Sequence, residues 1–177
     1  MIRKILRFSI LLLAAISTAV IMAATVPNRS KLSAFLGHWE GGGKFLQTSM
    51  SKAHEVSSET DCAWSPQGQA LVCEQTIHDG KVTQHQLTIY QADEKDADFS
   101  YTTLTPGRRP FTGVMKIRGD QWIYFGASNS PRQYPEFKTT NTFKDDVESF
   151  QTEFTEDGHH WTTMLQGSLR RTSDKAQ

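Results

Sequence analysis

The chain has 177 residues, of which 37% are hydrophobic, and its 19 Lys and Arg balance 19 Asp and Glu. That length fits one domain. The charge balance leaves no basic footprint for nucleic acid and none for docking on an acidic membrane.

The first 24 residues read as a secretory signal peptide. Arg3, Lys4 and Arg7 form a basic start, Ile10 to Met22 is mostly apolar, and Ala23-Ala24 supplies small residues for cleavage. An uncleaved anchor is the alternative, but the apolar run is shorter than the ~20 residues a span needs. No cysteine follows it, so lipid attachment is not expected, nor is a stable membrane anchor after cleavage. Removing three basic residues leaves 16 against 19 acids, a net charge of −3. The expected product is periplasmic or secreted, with residues 25–31 as a leader, 32–171 as one barrel domain and 172–177 as a disordered tail. About 150 residues suffice for one core without staples.

After the leader, Ser30 is placed to cap a brief helix over Lys31 to Leu36, with Leu32, Phe35 and Leu36 on its apolar side. No other stretch keeps helical periodicity for more than two turns. Beyond the helix the chain alternates with period two. The expected strands cover 38–47, 53–65, 70–78, 82–91, 98–105, 111–118, 121–127, 136–144, 147–155 and 160–170. Turn residues separate them, among them "PQG", "HDG", "PGRRP", "RGD", "KDD" and "EDG". No helix long enough for a parallel crossover intervenes. The expected fold is therefore all-β: a single antiparallel, mostly up-and-down barrel of about ten strands, whose closure removes exposed edges.

The opening strand contains "GHWEGGG", Gly37 to Gly43. A phosphate loop would place such glycines between strand and helix, followed by Lys and Ser or Thr; here Lys44 precedes Phe45 and no helix follows. His38 and Glu40 share a strand face, but no third ligand stands near in sequence, so no metal site is assigned. Glycine in a strand marks a tight bend or a close backbone approach. Trp39 is then placed to plug one end of the barrel beneath the short helix.

Cys62 and Cys73 flank "AWSPQGQALV". If Pro66 to Gln69 form a four-residue loop, Ser65 faces Ala70 and the cysteines stand directly opposite, close enough for a disulfide. An exported protein meets an oxidising compartment where the bond persists. Two reduced, buried thiols are the alternative. A metal pair lacks a second pair of ligands.

Several faces combine apolar residues with Thr and Asn, which suits a ligand pocket better than a dry core. The alternative is Thr pairs bonded across strands, enclosing nothing. Leu87 and Ile89 share one face with His85, alternating with Thr88 and Tyr90. Ile123 and Phe125 alternate with Trp122 and Tyr124. Phe137, Thr139, Asn141 and Phe143 share a face, as do Phe150, Thr152 and Phe154. Trp161 shares another with Thr163, Leu165, Gly167 and Leu169. The candidate lining is Trp39, Trp64, Leu87, Ile89, Phe137, Asn141, Phe150, Phe154 and Trp161. Inward, His85 is a polar anchor or base; a strand-end hydrogen bond is the commoner fate of such a histidine, and His78 beside Asp79-Gly80 is a turn residue. Arg108 and Arg109 in "PGRRP" are candidates to meet an anionic head group at the barrel mouth. Arg132 and Tyr134 lie in a segment suited to a lid or a partner surface. A one-residue slip would invert any of these strands.

Gly37-x-Trp39-x-Gly41-x-Gly43 resembles the first-strand motif of calycin-like barrels. Lipocalins and fatty-acid-binding proteins share the G-x-W core, and the nitrobindins carry the longer form. "DCAWSPQGQALVCEQ" (61–75), "QLTIYQAD" (86–93), "TTNTF" (139–143) and "EDGHHWTTMLQG" (156–167) resemble a family of exported bacterial proteins with a domain of unknown function, over about Leu32 to Arg171. The resemblance implies a lipocalin-like barrel and no established activity. Nitrobindins imply haem on a histidine near the last strand. Here His159 and His160 sit at that strand's hairpin end and its middle holds Met164, Leu165 and Gln166, so no cofactor is expected.

No G-x-S-x-G elbow or H-E-x-x-H helix is present. "TEDGHHWT" falls one residue short of a sialidase Asp-box, and an Asp-Gly hairpin accounts for it. The expectation is an exported lipocalin-like barrel, monomer or weak homodimer, binding a small apolar or amphipathic molecule. A structural or protein-interaction module with a filled core is the alternative, and a haem-binding or small-molecule-converting barrel ranks third. No catalytic residue is nominated.

Overall fold

A computed structural model describes residues 29–92, 98–126 and 135–173. The signal segment, Arg132 and Tyr134 lie outside these. The described chain begins with a short 3-10 helix, Arg29–Phe35, and continues through ten strands: β1 Gly37–Phe45, β2 His54–Trp64, β3 Leu71–Asp79, β4 Val82–Ala92, β5 Asp98–Leu104, β6 Phe111–Arg118, β7 Gln121–Gly126, β8 Glu136–Lys144, β9 Val147–Thr155 and β10 Thr162–Ser173. The helix begins before Ser30, so that residue lies within the turn and does not cap it.

Every strand pairs antiparallel with its chain neighbours, and β1 pairs with β10 to close the barrel. Closure satisfies the backbone of both outer strands and leaves no edge. Among the described residues no helix is long and apolar enough to cross a membrane.

The glycines of β1 follow from that closure. A Cβ on Gly42 would lie 2.2 Å from the Val56 carbonyl oxygen on β2, and one on Gly167 of β10 would lie 2.2 Å from the Gly42 carbonyl oxygen. β1 is squeezed between its neighbours where the sheet coils back on itself, and only glycine fits.

One end is sealed. Phe35, from the helix, packs against Tyr90 at 5.3 Å between ring centroids, and edge-on against Trp122 and Phe143 at 4.7 and 4.8 Å. Such pairs add to the area they bury. Trp39 is 2% exposed, and its indole Nε1 donates to the Phe35 carbonyl at 2.8 Å. The Arg171 guanidinium lies 4.6 Å from the Trp39 ring centroid, and Arg171 donates to the Ala34 carbonyl at 2.8 Å. The last helical turn and both ends of the sheet are tied at this plug.

The other end carries the loops joining β1–β2, β3–β4, β5–β6 and β9–β10, with the end of β7 and the start of β8. The large apolar side chains that stand exposed there, Met50, Val82, Leu104, Phe111 and Phe137, all belong to this end.

Candidate functional site

Inside the barrel, between plug and mouth, is a cavity of about 390 Å³, within the range of small-molecule sites. Phe35, Trp39 and Leu169 form its floor, and Phe45, Val56 and Leu165 line it nearer the mouth. Its remaining wall is mixed. Thr88 and Thr103 share a hydrogen bond at 3.0 Å, and Thr139 and Thr152 one at 2.9 Å. Gln75 donates to Ser58 at 2.8 Å and accepts from Gln86. The Thr pairs anticipated as a sign of a filled interior are thus present, and they surround open space.

The disulfide forms as the hairpin arithmetic requires. Ser65 donates to the Ala70 carbonyl at 2.8 Å, Cys62 stands opposite Cys73, and the two are bonded with their Cα atoms 4.1 Å apart. Both cysteines line the cavity.

A polar group lies deep in the cavity. Glu148 of β9 is 8% exposed, and Asn141 Nδ2 on β8 donates to its Oε1 at 2.5 Å. Burial pushes the Glu148 carboxyl up to about 7 from 4.5, because removal from water disfavours the charged form. Tyr90, Tyr101 and Tyr124 face the same space. Burial raises all three phenols, Tyr101 to about 12. Tyr101 donates to the Phe125 carbonyl at 3.2 Å. The Tyr90 and Tyr124 hydroxyls interact, which lifts the Tyr124 phenol further and offsets part of the rise at Tyr90. Asn141 Oδ1 and Thr60 Oγ1 are buried and unpartnered. Unpaired buried polar atoms carry a desolvation cost that a ligand can relieve.

Of the residues expected to line the cavity, Trp39, Asn141 and Phe150 do so. Trp64 shares the inward face of β2 but packs into the sealed end, below the floor. Phe154 is buried beside Phe137, 6.5 Å between ring centroids, and Phe137 is 43% exposed at the rim. His85, Leu87 and Ile89 point outward, correcting the expected parity of β4. Its inward residues are Gln86, Thr88 and Tyr90, and the His85 ring meets Thr76 Oγ1 at 3.1 Å on the outer surface. On β7, Trp122 and Tyr124 are the inward residues and Ile123 and Phe125 alternate with them on the other face. Trp161 is displaced by a bulge: Thr163 pairs with Glu153 and Leu165 with Thr152, so Met164 is the extra residue. Residues before the bulge change sides, and Trp161 lies outside beneath Lys138 Nζ, 4.4 Å from its ring centroid. Arg108 and Arg109 are exposed in the β5–β6 loop at the mouth end, away from the cavity wall.

Glu148 was missed although period two places it on the face of Phe150 and Thr152; an acid on an otherwise apolar face was the available signal. On the outer surface, His38 bridges Asp61 at 2.8 Å and Glu40 at 2.9 Å. Hydrogen bonds to Asp61 and then Glu40 raise its imidazole. Both ring nitrogens are engaged, and no group of three metal-binding side chains occurs among the described residues. His160 and Asp157 pair at 2.6 Å in the exposed β9–β10 hairpin. No histidine lines the cavity among the described residues, so an axial histidine for haem is not provided there.

No protein-family model matches the chain, and comparison with curated proteins finds no match. Solved structures do match. Rv2717c from M. tuberculosis superposes with a TM-score of 0.60 at 15% identity, covering 83% of this chain and 98% of that one. The S-type phycobiliprotein lyase CPES from Guillardia theta superposes with a TM-score of 0.56 at 10% identity, covering 81% and 92%. At these identities the likeness is one of fold: a ten-stranded closed barrel.

Proposed function

We propose that this chain is an exported, calycin-like barrel that binds a small apolar or amphipathic molecule in its interior. The cavity carries the reading. Its size, its aromatic floor and the unpartnered polar atoms within it together resemble a ligand site more than a packing defect. A filled-core interaction module would need that space occupied. The apolar rim of Met50, Val82, Leu104, Phe111 and Phe137 suits entry of a hydrophobic guest at the mouth. Export to the periplasm or beyond is supported by the basic-apolar-small order of residues 1–24 and by the Cys62–Cys73 bond. Small-molecule conversion is a second reading, favoured by the buried Glu148 carboxyl, whose position near neutrality suits a general base.

The test is saturable uptake of the neutral fluorophore N-phenyl-1-naphthylamine, with native mass spectrometry of protein from its own host. Saturable binding is expected, and Val56→Trp, which fills the cavity wall toward the mouth, should weaken it about tenfold, the equivalent of roughly 1.4 kcal/mol. Absence of uptake by the wild-type protein would defeat the reading. A guest that leaves chemically altered would favour conversion.

A further inference from the structure

A lipocalin-like pocket invites a fatty acid as its guest, but the charges in this cavity argue against one. Among the described residues its lining holds no Lys, Arg or His, and its one carboxyl group is Glu148. Along β10, Leu169 is the register partner of Glu148; Arg170 beside it is exposed on the outer face, and Arg171 is directed at Trp39 and the Ala34 carbonyl. A carboxylate head entering the cavity would meet a like charge and no counter-charge.

We propose that the deep end of the cavity recognises an N–H donor head group, at its simplest a protonated amine on an apolar body, with Glu148 and Asn141 as the acceptors. This rests on the cavity being a ligand site, as argued above. When Glu148 is ionised it accepts from Asn141 Nδ2, which turns Asn141 Oδ1 away as a free acceptor, and that oxygen is buried and unpartnered. The two acceptors are therefore held side by side by one hydrogen bond. An ammonium with its three donors satisfies both, and its charge offsets the carboxylate; a hydroxyl can serve one acceptor and brings no charge. Tyr124 Oη, beside the Tyr90 hydroxyl, is a third partner facing the same space. Aromatic faces at Tyr90 and Tyr101 add cation–π attraction. The apolar body of the guest then lies along Phe150 and Leu165 toward the mouth.

Recognition should depend on pH. The groups facing Glu148 across the cavity are Tyr90 on β4, Tyr101 on β5, Tyr124 on β7 and Asn141 on β8, and all three phenols are raised, so they stay neutral below pH 9. From the adjoining β10 the register neighbour is apolar Leu169. Of these groups Glu148 alone changes charge between pH 5.5 and 8, while an alkylamine stays protonated throughout.

The experiment uses the mature protein loaded with N-phenyl-1-naphthylamine and three competitors of equal chain length: decylamine, decanol and decanoate. At pH 8 decylamine should displace the dye at about tenfold lower concentration than decanol, with decanoate weakest. At pH 5.5, and in Glu148→Gln at pH 8, that advantage should shrink to about twofold. If decanol or decanoate matches decylamine in a protein that does take up the dye, the head-group assignment is wrong while the pocket stands. An amine advantage that persists both in Glu148→Gln and at pH 5.5 would also overturn it. If no dye is taken up, the pocket falls and this inference with it. Should the variant not fold, the wild-type comparison at the two pH values decides alone.

Discussion

The carboxyl of Glu148 should impose a pH dependence on the stability of the empty barrel, and Glu148→Gln should remove it. Burial lifts this group from 4.5 to about 7. Between those values the folded protein binds a proton that the unfolded chain releases, so stability falls as pH rises. The contribution is fully present below about 4.5 and is lost as pH rises through 7. The rise corresponds to on the order of 3 kcal/mol, since each pH unit is worth 1.36 kcal/mol. Most of it is in place at pH 5 and almost none at pH 8. For a domain of this size that is a shift in Tm of roughly 8 °C. The amide of the variant fills the same volume, keeps contact with Asn141 and does not titrate. Thermal unfolding followed by circular dichroism, in both proteins from pH 5 to pH 8, should show curves that separate as pH rises, the variant being the more stable at pH 8. Subtracting the two removes groups such as His38 and His160, whose raised imidazoles titrate in both. Parallel curves across this range would mean that Glu148 reaches water, and the electrostatic account of the cavity would be wrong.

Removing the disulfide by Cys62→Ser with Cys73→Ser should lower stability by about 3 kcal/mol, read as a lower urea midpoint, because the bond closes a short loop in the unfolded chain. Gly42→Ala should prevent recovery of a soluble barrel, since its Cβ would lie 2.2 Å from a carbonyl oxygen of β2. Gly80→Ala, in an open turn at φ 57° with nothing near its Cβ, should cost only about 1–2 kcal/mol in urea unfolding. Trp39→Ala should cost about 3–5 kcal/mol in the same assay, by opening the floor between Phe35 and Arg171.

Much of the architecture was legible along the chain. Hairpin turns such as Asp79-Gly80 are local, and a turn of known length sets the register of the strands it joins. The Cys62–Cys73 pairing followed from Ser65 facing Ala70 in that way. All ten strands stand close to their expected spans, because alternation and turn residues are separated by only a few positions. The first-strand glycines were also readable as a close approach, though what approaches them, β2 on one side and β10 on the other, is a matter of closure.

Which face looked inward was harder. β4 carries Leu87 and Ile89 on one side and Thr88 and Tyr90 on the other, and a period of two reads equally well from either. The choice was settled by partners: Cys73 pairs with Thr88, so the disulfide face carries Thr88 inward and leaves His85 outside. That constraint was available once the cysteine face was known to line the interior. The bulge at Met164 had no comparable signal, and it moved Trp161 to the outer surface. Turns and alternation act between residues a few positions apart, so the chain alone determined strand order, hairpin register and the disulfide. The interior of the barrel is shared by residues far apart in sequence. Only the closed tertiary structure decided that Glu148, Asn141, Tyr90 and Tyr124 meet in one buried space, and burial there gives the Glu148 carboxyl its altered affinity for a proton.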